Sequence, residues 1–470
     1  MSIEHSRSAV VLALVASYLV YVDGTIVNLA LGQLAQDLDA SRPELEWAVN
    51  AYTLAFAAVI LGGGVITDVL GAKRAFVAGL LVFTAASGMC AAAASMLVLD
   101  LARLVQGVGA ALLLPSALVL ATSTTTDESA RHRLVGWWAA AGGAGMASGP
   151  LLGGGLVSLF GWRAVFAVNV VVGVPSLVWS LRSMPGLARR PRRLDLAGLA
   201  AATLLIGGLV FALVEAYARG WGSPLVLSAA ALCLAGLVGL VRAERSATAP
   251  LLPLGVWSDR SFVGATVQGG LFNFTFYGLL FAMSLLLQQG RGLDAMTSGL
   301  LFLPLTGLIT VGTLCSAPLA SRIGRRAVLA TGHAALAVTL LTVAWASAAT
   351  SLWYLVVALL PVGLSAGVLV PALTSQAISA VTPDLHGAAS AAFNAARQVG
   401  GAVGVATFGP LLGATDAVGG GFARCVAVGA GAVLVGLLVT AVRPHPTAVA
   451  ADNQLGASAV SDAAGASPSA

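Results

Sequence analysis

Long apolar stretches, broken at short polar intervals, organise the chain. Runs rich in Val, Leu, Ala and Gly occupy about 10–31, 47–67, 75–95, 98–121, 134–159 and 164–181, then 196–217 and 224–241. Six more follow at about 261–287, 296–319, 327–348, 351–374, 388–412 and 421–442. A run of about 20 apolar residues crosses the hydrocarbon core of a bilayer as one helix. The pattern therefore predicts an all-α membrane protein with fourteen spans. None of the runs shows the alternation of an outer-membrane barrel strand. The first run is longer than the roughly 7–15 apolar residues of a signal peptide and contains Asp23, so it reads as a retained span. Residues 443–470 are rich in Ala and Ser without periodicity and read as a disordered tail.

Composition agrees. Of 470 residues, 58% are hydrophobic and 9% charged, against about 25% charged in a soluble domain. The net charge of +5 forms no single stripe, so no nucleic-acid partner is expected. With a cytoplasmic N-terminus, seventeen Lys or Arg residues fall in inside loops and five outside, while Arg103 and Arg397 lie within spans. That bias predicts a multi-pass protein of a bacterial inner membrane with both termini cytoplasmic. Cys90, Cys233, Cys315 and Cys425 each stand alone in apolar sequence and read as reduced packing residues.

The chain also echoes itself. Gly64, Asp68, Gly71, Lys73 and Arg74 after span 2 correspond to Ala317, Ser321, Gly324, Arg325 and Arg326 after span 10. Gly107, Ala111 and Pro115 match Gly363, Gly367 and Pro371; Gly145 and Gly149 match Gly400 and Gly404. These pairings recur at nearly one offset, in chain order. They imply two six-helix bundles, at 1–194 and 257–443, with two linker spans at 195–256. Such parallel repeats place a transporter's site near the bilayer midplane between the halves.

An ionised group at mid-bilayer costs roughly 2.5–3.5 kcal/mol on insertion scales, so embedded charges need reasons. Asp23, near the middle of span 1, reads as a carboxyl that exchanges a proton or as half of a structural ion pair. No other acid is expected at its depth; Asp100 and Glu215 fall near span ends. Arg103, inside span 4, is a plausible partner. A nearby cation favours the ionised acid and desolvation the neutral one, so a cavity that alternately wets and dries the pair could take up and release a proton. Arg397 and Gln398 in span 13 form a second embedded polar pair, read as packing or function. Gly145, Gly149, Pro150, Gly153 and Gly154 give span 5 a kinked face for close helix approach. Asp68, Gly71, Lys73 and Arg74 crowd a tight turn, read as orientation charge or as a latch between the halves. Asn28, Gln106, Gln268, Asn273 and Tyr277 are candidate cavity-lining groups, the last three beside Phe272, Phe274 and Phe276.

These motifs resemble the major facilitator superfamily: the span-4 run from Arg103 to Pro115, the span-5 Gly-Pro-Gly-Gly run and the Asp68 turn. Asp23 to Asn28, Trp162-Arg163, Pro250 to Pro253, and Asn394 to Gln398 resemble its fourteen-span drug:proton antiporters, which include methylenomycin-resistance-type exporters. The resemblance implies that Asp23 binds a proton or cationic substrate, that Arg103 assists proton transfer, that the span-5 motif shapes the antiport interface and that Asp68 and Arg74 gate. Val69 and Ser321 depart from the pattern, where a basic residue and an acid are usual. Span 10 has no further acid of the kind that accompanies dicationic substrates.

The expected function is proton-coupled export of small apolar or monocationic compounds by a monomer in the bilayer, with no cofactor and no metal; the alternative is a metabolite transporter of the same fold. ATP hydrolysis lacks a P-loop, because the only Lys, Lys73, is followed by Arg74. An intramembrane enzyme would need clustered catalytic groups, and His5, His132, His333, His386 and His445 are scattered. A sensor would not need matched halves.

Overall fold

The computed structural model describes residues 3–125, 127–184, 195–246, 254–346, 351–382, 385–413 and 418–442. The Pro250–Pro253 motif, the basic stretch from Arg189 to Arg193, and the tail from Arg443 onward lie outside the described residues. Sixteen α-helices run through the rest, with no strand among the described residues. They are α1 (Ile3–Ile26), α2 (Leu31–Asp37), α3 (Arg42–Leu70), α4 (Ala72–Ala91), α5 (Met96–Thr122), α6 (Glu128–Phe160), α7 (Ala164–Ser183) and α8 (Leu196–Arg219). Then come α9 (Pro224–Ser246), α10 (Arg260–Leu285), α11 (Ala295–Leu301), α12 (Leu303–Ile323), α13 (Arg325–Ala346), α14 (Leu352–Ser379), α15 (His386–Gly413) and α16 (Val418–Ala441).

Among the described residues, thirteen stretches are long and apolar enough to cross a membrane. The expected thirteenth span in chain order, α15, has the length but carries Asn394, Arg397 and Gln398 among small residues. The first span is longer than the sequence suggests. A 3-10 turn at Val27–Ala30 joins α1 to α2, and Asn28 Nδ2 donates to Thr25 O at 3.1 Å beside it. The expected span 10 is divided into α11 and α12 at Phe302, with Pro304 in the first turn of α12, where a missing N–H costs nothing. The second span starts earlier than expected, at Arg42, because Ser41 and Glu44 cap it: Ser41 N donates to Glu44 Oε2 at 2.8 Å.

Internal repetition is visible in geometry. Gly71 and Gly324 end α3 and α12 with nearly the same left-handed backbone, φ 84° and 82°. α6 packs on α1 as α15 packs on α10, and α5 packs on α3 as α14 packs on α12. In both halves glycines make the approach possible: a Cβ at Gly145 would collide with Tyr18 O, and one at Gly404 with Phe274 O. α8 and α9 pack together, with α8 against both α3 and α15.

One end of the bundle carries Asp39, between α2 and α3, and the other Gly71, between α3 and α4. Trp221, Trp345 and Trp353 are exposed toward the Asp39 face, and Trp137, Trp179 and Trp257 toward the Gly71 face. Aromatic belts of this kind sit at membrane–water interfaces. Close contacts between the halves cluster toward the Asp39 face. Ser284 Oγ donates to Asn28 O at 2.5 Å, and Met296 N donates to Ser158 Oγ at 2.9 Å. α3 lies along α15.

Candidate functional site

Asp23 sits where α1, α4, α5 and α7 converge, with no exposed surface. Its Oδ2 accepts from Arg103 Nη1 at 2.5 Å. Its Oδ1 accepts from Gln106 Nε2 at 2.8 Å and from Asn169 Nδ2 at 2.6 Å. Arg103 and Gln106 are three residues apart on α5, so both project from one face. Arg103 Nη1 also donates to Gln106 Oε1 at 2.6 Å, and its Nε to Ala48 O at 3.0 Å. Gln106 Nε2 reaches Ser87 Oγ on α4 at 2.8 Å. The guanidinium stacks 4.5 Å from the Tyr52 ring centre, and the Tyr52 hydroxyl donates to Val20 O. Two polar atoms in this dry cluster have no partner, Arg103 Nη2 and Asn169 Oδ1.

The arrangement holds one carboxylate with three donors, one of them the Arg103 cation, away from the protein surface in this conformation. Such a pair is stable only while both members stay charged and bonded.

The glycine face of α6 ties this cluster to the other half. Gly145, Gly149 and Gly153 back onto α1 and the 3-10 turn after it, from Tyr18 to Leu29; a Cβ at Gly149 would strike Thr25 Oγ1, and one at Gly153 would come 2.8 Å from Ile26 O. The next residue, Gly154, faces α11, where a Cβ would come 2.6 Å from Ala295 O. Pro150 lies in the middle of α6, its carbonyl against Gly299. One helix thus contacts the Asp23 helix on one side and the opposite half on the other.

The remaining expected residues are spread over the molecule. Tyr277 approaches Asp23's neighbour Gly24 from the other half, its hydroxyl 3.9 Å from where a Cβ would sit. Arg397 Nε donates to Asn273 Oδ1 at 3.3 Å beneath the Phe393 ring, and Gln398 is nearly buried beside it. Gln268 belongs elsewhere. It bonds Thr440 Oγ1 at 2.8 Å and lines a cavity of about 740 Å³ at the Gly71 face with Arg260, Arg325 and Arg326. Asn28 and Gln106 are buried, with 1% and 0% exposure. Asn28 lies in the seam between the halves, and Gln106 is held inside the Asp23 network. Lys73 Nζ donates to Met184 O at 2.5 Å and to Leu181 O at 3.4 Å. It therefore caps α7 in its own half in this conformation rather than crossing to the other. Asp68 is half-buried and Arg74 exposed beside it.

Sequence reading missed Asn169, Ser87 and Tyr52. A lone Asn in the apolar run of span 6 was the available signal for the first. Ser87 and Tyr52 are ordinary in such helices and gave none. Glu46, one turn inside the end of α3, was also missed: it is 2% exposed.

The model of the Major Facilitator Superfamily matches residues 13–405. The chain is 35% identical over 446 residues to the methylenomycin A resistance protein of Bacillus subtilis, covering 93% of this chain and 96% of that one. It is 37% identical over 418 residues to the puromycin resistance protein pur8 of Streptomyces alboniger, covering 87% and 82%. Among solved structures, the human organic anion transporter MFSD10 superposes with a TM-score of 0.62 at 17% identity, covering 93% of this chain and 99% of that one. The nucleoside transporter NupG does so with 0.60 at 13%, covering 92% and 98%. These two share the fold. The chain is a multi-pass membrane transporter, not an enzyme, and it belongs to the Major Facilitator Superfamily.

Proposed function

We propose that the protein exports small apolar or monocationic compounds, antibiotics among them, in exchange for protons. The observation that carries this reading is the buried Asp23–Arg103 pair on a helix that α6 joins to the opposite half. The resistance functions named for its relatives at 35% and 37% identity supply the substrate class.

Two bundles, 1–194 and 257–443, rock about the seam between them, and residues 195–256 brace it through α8. The basic-residue bias places both termini in the cytoplasm of a bacterium, which makes the Asp39 face the outer one. With the halves joined at that face, this conformation is closed to the outside. A proton reaching Asp23 weakens its hold on Arg103, Gln106 and Asn169 and frees α1 to shift against α6. Arg103 then favours release of the proton when the pair re-forms. Asp68, Gly71, Lys73 and Arg74 gate the cytoplasmic side. Asn273, Tyr277, Arg397 and Gln398 face the passage from the second half.

No organic cofactor or metal enters this cycle, and one polypeptide suffices. A charge moving through 100 mV supplies about 2.3 kcal/mol, which at about 1.4 kcal/mol per decade sustains roughly a 50-fold gradient of a neutral compound. The test is expression in a pump-deficient bacterium across an antibiotic panel, with dye uptake into inverted vesicles alongside. Raised tolerance to at least one compound and dye movement are expected. Unchanged tolerance throughout, with no dye moved, defeats the export reading.

A further inference from the structure

The seam between α3 and α15 contains a second buried carboxyl that the Asp23 network does not use. Glu46 lies one turn inside α3, and its carboxyl rests directly on Gly409 of α15, where a Cβ would overlap it. One turn earlier Arg42 covers Gly413, whose Cβ would come 2.6 Å from Arg42 Nη1. Two charged side chains four residues apart on α3 therefore fill a trough made by two glycines four residues apart on α15. α8 closes the third side: Trp47 Nε1 donates to Glu215 Oε1 at 3.1 Å, and Glu215 Oε2 accepts from Arg219 Nε at 2.6 Å.

The charged groups facing Glu46 are Arg42 on its own helix and Glu215 from α8. The α15 segment against it, from Val403 to Gly413, has no titratable side chain. Among the described residues, the Glu46 carboxyl makes no hydrogen bond and no ion pair within 4 Å. A structural ion pair would have brought Arg42 onto it. Instead Arg42 lies over Gly413, and Glu46 is left between two helices of opposite halves.

This seam is part of what holds the Asp39 face shut, so opening that face has to part it and wet Glu46. A charged carboxylate without a bonded partner disfavours closing, whereas a neutral acid fits the trough. We propose that Glu46 is a second proton-binding site, placed on the gate at the Asp39 face. The seam closes over the protonated acid and opens when the carboxyl loses its proton to water on that side. In an exporter with this face outward, a proton taken from outside after substrate release closes the gate and returns the carrier to the cytoplasmic side. This inference rests on the proton-coupled reading above and adds where the external proton first acts.

The gate can be followed without substrate. Nitroxide labels at Gln36 on α2 and Ala423 on α16 report the separation of the halves at this face, in full-length protein with exposed or half-exposed Cys315 and Cys233 replaced by serine. Pulsed-dipolar distances are recorded from about pH 5 to about pH 9. The wild type is expected to gain the short-distance population as pH falls, by up to about tenfold in the closed-to-open ratio per pH unit, the limit for one linked proton. Glu46→Gln is expected to stay closed at every pH. Gly409→Ala, which evicts the carboxyl from its trough, is expected to stay open, and it decides the matter if Glu46→Gln does not fold. A wild-type pH response in either variant overturns the proposal. If pH gradients drive transport while the wild-type gate ignores pH, this inference fails alone. If the gate titrates while transport ignores the gradient, the antiport reading fails instead.

Discussion

The Asp23–Arg103 pair allows a double-mutant cycle with a predictable size. Arg103→Gln removes the only cation bonded to Asp23 and leaves the carboxylate with two amide donors, Gln106 and Asn169. Breaking one side of a buried ion pair costs about 3–5 kcal/mol, because the other charge stays buried. A Coulomb estimate of about 4 kcal/mol, for unit charges 4 Å apart at an effective dielectric of 20, has the same order. Asp23→Asn strands Arg103 in the same way, with Nη2 already lacking a partner. The double variant Asp23→Asn/Arg103→Gln carries only amides, which can bond one another and Asn169. It should lose far less than the sum of the singles, with a coupling energy of at least about 2 kcal/mol. Reversible unfolding in mixed micelles, followed by tryptophan fluorescence, measures all four corners. Single losses below about 1 kcal/mol that add within about 0.5 kcal/mol, as independent sites do, would refute the reasoning.

Two further outcomes follow from local geometry. Gly149→Ala places a methyl on Thr25 Oγ1 and forces α6 away from α1; overpacking of this kind costs about 1–3 kcal/mol, so transport should fall sharply while membrane insertion persists. Gly143→Ala on the same helix meets nothing within 4 Å and should behave as wild type, both read by vesicle transport normalised to protein level. Asp294 caps α11 by accepting from Thr297 N at 3.0 Å, and hydrogen bonds from the Thr297 side chain first and its backbone N–H second hold its carboxyl below the ordinary 3.8. Its folded value is thus the depressed one. The cap's contribution is complete above about pH 3.8, is lost as pH falls through the lower value, and is absent at every pH in Asp294→Ala. Amide exchange across Ala295–Leu301 should accelerate accordingly.

The membrane-length helices were legible because their signal is additive: each span needs about 20 apolar residues. The repeat was legible because glycines at helix crossings and turns are set by backbone clearance, as Gly71 and Gly324 show with matching φ. Within the site, Asp23 and Arg103 stood out because charge at depth is costly. Asn169 and Ser87 did not, since a neutral amide or hydroxyl in a helix can bond its own backbone and carries no comparable penalty. Glu46 escaped for another reason. Its burial depends on where α3 begins and on two glycines of α15 more than 360 positions away, which no local pattern reports. The 3-10 turn that carries Asn28 into the seam with Ser284 had no signal in the apolar pattern.

The central claim is that protonation of Asp23 couples the proton gradient to export. Proteoliposomes holding the purified protein, with membrane potential clamped and only the pH gradient varied, test it most directly using a compound identified by the resistance panel. Wild-type protein should move that compound against its gradient in proportion to the pH difference, and Asp23→Asn should bind it yet move it only downhill. Uphill transport by Asp23→Asn at the wild-type rate, or wild-type transport indifferent to the pH difference, contradicts the account.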